Sequence, residues 1–217
     1  MMAAVQANDV KELRDKTGAG ILDCKEALNE TDGDIEEASE YLREQGLKEA
    51  GQKSGVAAEG KIGAYVHTNG SIGVIVEVNC ETDFVADTDE FSDFVDELAM
   101  QIAAQGPSYI SREDVPEDDI ESEKQAIRAQ FEDEDKPEDV LDDIVEGKLE
   151  KEFFQEEVLL EQEYIRDSDK TIEELQKEVI ASVDENVEIR RFERFEVGEG
   201  VETEDENFAE EVADEID

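Results

Sequence analysis

The chain has 217 residues, 65 acidic against 20 basic, and a formal net charge of −45. That balance excludes direct binding to a nucleic-acid backbone, which needs clustered Lys and Arg to displace counterions; no Lys or Arg occurs between Ile62 and Ser111. Hydrophobic residues still make up 38% of the chain, and amphipathic patterns recur through most of it, so a folded protein is expected. The acid load decorates the polar faces of nearly every helix pattern. Such charge repels itself in a compact state, and at about 1 M salt the screening length falls to about 3 Å. The expectation is a halophilic protein adapted to a salty cytoplasm. Cys24 and Cys80 stand in no CxxC or CxxH spacing, so they read as inert thiols of a cytoplasmic protein and not as a zinc site. No signal peptide and no apolar run of about 18 residues is read, hence no membrane span.

Residues 8–46 read as three short helices. The first carries Val10 and Leu13 and ends at Thr17-Gly18-Ala19-Gly20. The second carries Ile21, Leu22, Ala27 and Leu28. The third opens at Asp34, a plausible N-cap, carries Ile35, Ala38, Tyr41 and Leu42, and stops at Gly46. Such a bundle has a thin core and marginal stability by itself. Residues 47–60, with Gly51, Gly55 and Gly60, read as a linker that holds Lys48 and Lys53.

Strands follow over Lys61–Thr68 and Ser71–Asn79, around Asn69-Gly70, a two-residue hairpin signal. A helix from Asp89 to Gln105 presents Phe91, Phe94, Val95, Leu98 and Ile102 on one face and ends at Gly106-Pro107. Ile120, Ile127 and Phe131 form a narrow stripe. Lys136-Pro137 breaks that helix, and the next carries Leu141, Ile144, Val145 and Leu149, then Phe153. Two such helices with a short join make a helical hairpin. Thr171 opens a further helix with Ile172, Leu175, Val179 and Ile180, and Val187–Val197 is a last strand.

One segment does not fit its place. In Asn79-Cys80-Glu81-Thr82-Asp83-Phe84-Val85, Phe84 lies in the connection between strand and helix, among Glu81, Asp83, Asp87 and Asp89. Connections are normally exposed and polar. An aromatic residue there either plugs the local core or enters a partner. Asp83 reads as a cap of the following helix or as a contact beside the ring. Ile21 and Leu22 read as half core in so small a bundle. Asp87-Thr88-Asp89 hints at calcium, but the loop Gly and closing Glu are missing. A bare peptide-binding module would explain residues 8–46 alone. An enzyme would need a nucleophile–base arrangement that one His does not offer, and no Gly-rich phosphate loop is present.

Taken together, these segments resemble elongation factor Ts. The resemblance rests on Val10-Lys11-Glu12-Leu13-Arg14 with Thr17-Gly18-Ala19-Gly20 and Asp23-Cys24-Lys25-Glu26-Ala27-Leu28, on Glu77 to Val85, on Val145-Glu146-Gly147-Lys148, and on Arg194-Phe195-Glu196-Val197-Gly198-Glu199-Gly200. It implies an α+β fold: a ubiquitin-associated-like (UBA-like) three-helix domain over residues 1–46, a linker over 47–60, and a core over 61–200. That core has an antiparallel sheet, packed helices and a helical hairpin at about 117–164, before an acidic tail over 201–217. It further implies a guanine-nucleotide exchange factor for elongation factor Tu in translation elongation, with no cofactor and no catalytic chemistry of its own. The implied contacts with the Tu G domain are Thr82, Asp83, Phe84 and Val85. Phe84 enters that domain and spoils its magnesium and phosphate site. Arg14, Ile21, Leu22 and Lys53 occupy positions similar to further contacts, and His67 matches a core-domain contact. Many relatives duplicate the core, and this chain has room for one copy; the short form is associated with homodimers. Glu163-Tyr164 stands where the family often has a Pro-Phe pair.

Overall fold

A computed structural model describes residues 6–17, 19–131 and 137–201. The readings at Gly18, at Lys136 and over the tail from residue 202 lie outside them. The described residues form a mixed helical and antiparallel-sheet fold, compatible with the α+β class.

The first three helices are α1 (Ala7–Thr17), α2 (Ile21–Glu30) and α3 (Ile35–Ala50). They bury Leu13, Cys24, Ala27, Leu28 and Ala38, with Val10, Ile35, Tyr41 and Leu42 packed around them. Asp34 caps α3, its carboxylate accepting from the N–H groups of Glu36 and Glu37 at 2.9 and 3.0 Å. The predicted stop at Gly46 is overturned, and residues 47–50 belong to the helix and not to a linker. The reason lies in the helix α9 (Ile172–Val183), which packs on this stretch. A Cβ on Gly46 would lie 3.6 Å from the Ala181 Cβ, and Arg43 reaches Glu178 at 3.5 Å. Glycine costs a helix about 1 kcal/mol relative to alanine, and close approach to a neighbouring helix offsets that.

The sheet has the order β1 (Glu59–Val66), β2 (Ile72–Cys80), β5 (Val187–Glu196), antiparallel throughout. Asn69-Gly70 is not the centre of a two-residue turn. His67 O accepts from Gly70 N at 2.7 Å, so Thr68 and Asn69 are central and Gly70 follows with φ 72, the longer hairpin form in which glycine takes the left-handed position. A bulge in β5 pairs Glu77 with Arg191 and Val78 with Ile189. The extra residue, Arg190, brings a second guanidinium to Glu77: Arg190 and Arg191 bond its two oxygens at 2.9 and 2.6 Å.

Helix α5 (Asp89–Gln105) covers one face of the sheet. All five members of its predicted stripe are buried, against Val74, Val76 and Val78, and Ile172, Val179 and Ile180 of α9 complete this core. Opposite, Ile62, Val66, Ile75 and Phe195 stand exposed on the sheet face that, among the described residues, no helix covers.

Helices α6 (Glu117–Ala129) and α7 (Glu138–Lys148) pair around Ile127 and Val145, with Ile120, Phe131 and Leu141 beside them. Phe153 does not continue α7: Leu149–Phe154 widens into a π-helical turn before α8 (Gln155–Glu157). Arg112 grips Glu150 and Glu161 and lies over the Phe154 ring, 4.3 Å from its centre. A small hairpin, β3 (Glu163–Tyr164) with β4 (Asp167–Thr171), was not predicted. The buried Gln101 amide anchors it, donating to Gln162 Oε1 and Glu163 O and accepting from Ile165 N.

Candidate functional site

Strand β2 delivers the segment of interest. Its last residue, Cys80, is fully buried, and burial first, then the charge of Glu185, push its thiol above the usual range. The protonated Sγ donates to Thr82 O at 3.1 Å. Thr82 is the N-cap of a four-residue helix, α4 (Asp83–Ala86): its hydroxyl oxygen accepts from the Val85 N–H at 3.4 Å. Val85 and Ala86 face inward and join the main core.

Phe84 points the other way and is 84% exposed, so it plugs no core; Val85 does that. Asp83 caps nothing either. Thr82 caps α4, and Thr88 caps α5 by accepting from Phe91 N at 3.2 Å. Asp83 and Phe84 therefore project together from one helical turn, both exposed among the described residues.

The turn between α9 and β5 braces this segment. Glu185 accepts from Thr82 N at 3.0 Å and from Thr82 Oγ1 at 2.6 Å. Asn186 donates its N–H to Glu81 at 2.8 Å and its side-chain amide to Gly55 O at 3.0 Å. Lys53 bonds the Asp184 carboxylate at 2.6 Å, and that hydrogen bond holds its ammonium above the usual range. Lys53 thus belongs to the brace. The sequence names Glu81 only as one of the carboxylates around Phe84, and Glu185 and Asn186 were missed. The only local signal is the turn composition Asp184-Glu185-Asn186, with Asp184 at φ 59.

The remaining expected residues fall elsewhere. Ile21 is 59% and Leu22 79% exposed at the start of α2, so the half-core reading of both is overturned; Cys24, Ala27 and Leu28 fill the interior. Ile21 and Arg14, with Val10, Lys11 and Lys25, line an apolar groove of about 410 Å³ between α1 and α2. Its rim is basic on a chain that is otherwise strongly acidic. His67 lies at the β1–β2 turn, its Nδ1 3.1 Å from Tyr65 Oη. That is the opposite end of β2 from Phe84, roughly 26 Å away at the rise of an extended strand, so the fold does not bring the two together. Among the described residues, no group of three or more His, Cys, Asp or Glu is placed to hold a metal ion. No described helix is long and apolar enough to cross a membrane.

Comparison with known proteins places this geometry. The family model described as Elongation factor TS matches residues 1–199. A protein named Elongation factor Ts from Thermoanaerobacter sp. (strain X514) is 58% identical over 200 residues, 92% of this chain and 98% of its own length. Its namesake from Caldanaerobacter subterraneus subsp. tengcongensis is 59% identical over 199 residues, 91% of this chain and 99% of its own length. That from Acetivibrio thermocellus is 54% identical over 213 residues, 98% and 99% of the two chains.

Proposed function

The chain belongs to the elongation factor Ts family, and on that premise we propose that it is a guanine-nucleotide exchange factor for elongation factor Tu. The observation that carries the reading is Phe84, 84% exposed on a helical turn whose other side is built into the core. An apolar ring held out into water on a rigid base is arranged to enter another protein. In this reading Phe84 inserts into the Tu G domain, Asp83 contacts the groups beside it, and Thr82 and Val85 hold the turn from behind. The insertion perturbs the magnesium and phosphate site, so the phosphate charge loses its counter-ion and GDP leaves. Coupling between two sites is reciprocal: a factor that favours the nucleotide-free form of its partner weakens GDP binding by the factor by which GDP weakens its own. No acid, base or nucleophile of this chain takes part.

The same reading assigns the basic-rimmed groove, with Arg14, Ile21 and Leu22, to a second contact on Tu, carried by a UBA-like domain over residues 1–46. Lys53 lies at the edge of the contact, and His67 makes a separate one from the core over residues 61–200, whose helical hairpin spans about 117–164. We place the protein in a salty cytoplasm, in keeping with its charge of −45, and as a homodimer that covers the open sheet face. A soluble monomer rarely leaves contiguous apolar surface bare, and Ile62, Ile75 and Phe195 are 62%, 52% and 65% exposed there. Stopped-flow release of a fluorescent GDP from Tu, at high salt and with increasing amounts of this chain, tests the function. Release should accelerate to a plateau; a rate independent of the added chain refutes the reading.

A further inference from the structure

The α4 turn does not hold itself. It is closed by Ala86 N to Thr82 O at 3.2 Å and Asp87 N to Asp83 O at 3.0 Å, and a single turn is far below the length at which a helix is stable in water. Phe84 is 84% exposed, so its direction depends chiefly on the backbone beneath it. The backbone enters the turn at Thr82, and both donors of that residue go to one side chain, Glu185, 103 residues further along the chain.

We infer that Glu185 is a positioning residue for Phe84, fixing the direction of the α4 turn and so the aim of the ring; the inference rests on the exchange reading above. Its two oxygens take the Thr82 N–H and O–H, which fixes the rotation about the Thr82 N–Cα bond and the torsion of its side chain. Because the hydroxyl proton is committed to Glu185, the lone pair left on Oγ1 faces the Val85 N–H, and polarisation along such a chain strengthens the second bond. The chemistry calls for a carboxylate. Both partners are donors, and only an ionised carboxylate offers acceptors on both prongs; a carboxamide sets an NH₂ against one of the two. Glu185 is itself pinned, since the residues on either side of it are tied by Lys53 to Asp184 and by Asn186 to Glu81 and Gly55.

The test is a double-mutant cycle on GDP release from Tu, with the native chain, Glu185→Gln, Phe84→Ala and the double variant. Glu185→Gln should lower the plateau rate about tenfold, the scale of one charge-assisted hydrogen bond. The concentration giving half the plateau rate should stay within about twofold, because the other contacts are intact. In the Phe84→Ala background, Glu185→Gln should change nothing further, as expected for a residue that acts only through Phe84. A second readout needs no partner. The chain has no tryptophan, so Phe84→Trp installs a single reporter, and adding Glu185→Gln should enlarge the fast component of its anisotropy decay. An equal slowing with and without Phe84 overturns the inference, as does a raised half-saturation with an unchanged plateau. If Phe84→Ala slows release and Glu185→Gln does not, the inference falls and the exchange reading stands. If the Phe84→Ala chain accelerates release as fully as the native chain, the inference and the role given to Phe84 fall while exchange itself stands; if the native chain does not accelerate release, all fall.

Discussion

On the proposed reading, replacing Phe84 by alanine should separate folding from function. The ring is 84% exposed, the foot of its turn is made by Val85 and Ala86, and the cap belongs to Thr82. Surface substitutions away from packed or capped features stay within about 0.5 kcal/mol. For a chain of this size that shifts the melting temperature by only about 2 °C. In the complex the balance reverses. Burying a phenylalanine side chain is worth about 1.5–3 kcal/mol. If that free energy is realised only where the ring displaces nucleotide, its loss slows GDP release by roughly 10- to 150-fold. Stopped-flow release at saturating factor and about 1 M KCl measures the rate, and circular dichroism the melting. A rate within twofold of native, or a melting point lower by several degrees, would refute the reasoning, the second because it would return Phe84 to the core.

Three further outcomes are expected. The melting temperature should rise with KCl, as the screening length falls from about 10 Å at 0.1 M to about 3 Å at 1 M; far-UV dichroism that melts identically at low salt rules out salt adaptation. Ile75→Lys should turn a dimer into a monomer in sedimentation at high salt with little change in melting, because the side chain leaves the core-facing side of the sheet untouched; a native chain that sediments as a monomer ends the dimer reading. Hydrogen bonds from Arg191, then Arg190, hold the Glu77 carboxylate below its ordinary value of 4.5. A depressed carboxylate adds stability above its unfolded pKa and loses it as pH falls through the folded one. The stability gap between the native chain and Glu77→Gln should therefore hold steady above about pH 5 and close below 4.5; urea titrations showing a gap independent of pH would contradict this.

Periodicity made α5 legible: Phe91, Phe94, Val95, Leu98 and Ile102 are spaced as one face, and one face is what the sheet buries. The β1–β2 hairpin was equally readable, apart from which pair is central to its turn. The β3–β4 hairpin was not, since Glu163-Tyr164 and Asp167–Thr171 are almost wholly polar and the hairpin is anchored at Glu163 and Ile165 by Gln101 of α5. Gly46 misled because a glycine that ends a helix and one that lets a second helix approach look alike in one dimension. At the site, the odd placing of Phe84 was visible, but its surroundings left core plug and partner contact both open. Glu185 showed only as part of a turn, because a brace formed across 103 residues leaves no local pattern that names its partner.

Helix α3 has one end in each of two cores: Ala38 is buried among α1 and α2, and Ala50 in the main core, where α3 packs on α9. Between them it runs unbroken past Gly46. The bundle that carries the basic-rimmed groove is therefore tied by one continuous helix to the core that carries the exposed ring. A single residue inserted between Tyr41 and Gln45 would advance the bundle by about 1.5 Å and swing it through about 100° at 3.6 residues per turn. Both surfaces would remain whole and yet no longer face the same way. On the proposed reading the helix works as a gauge: a partner that takes both the groove and the ring must carry its own two docking points at the matching spacing and angle.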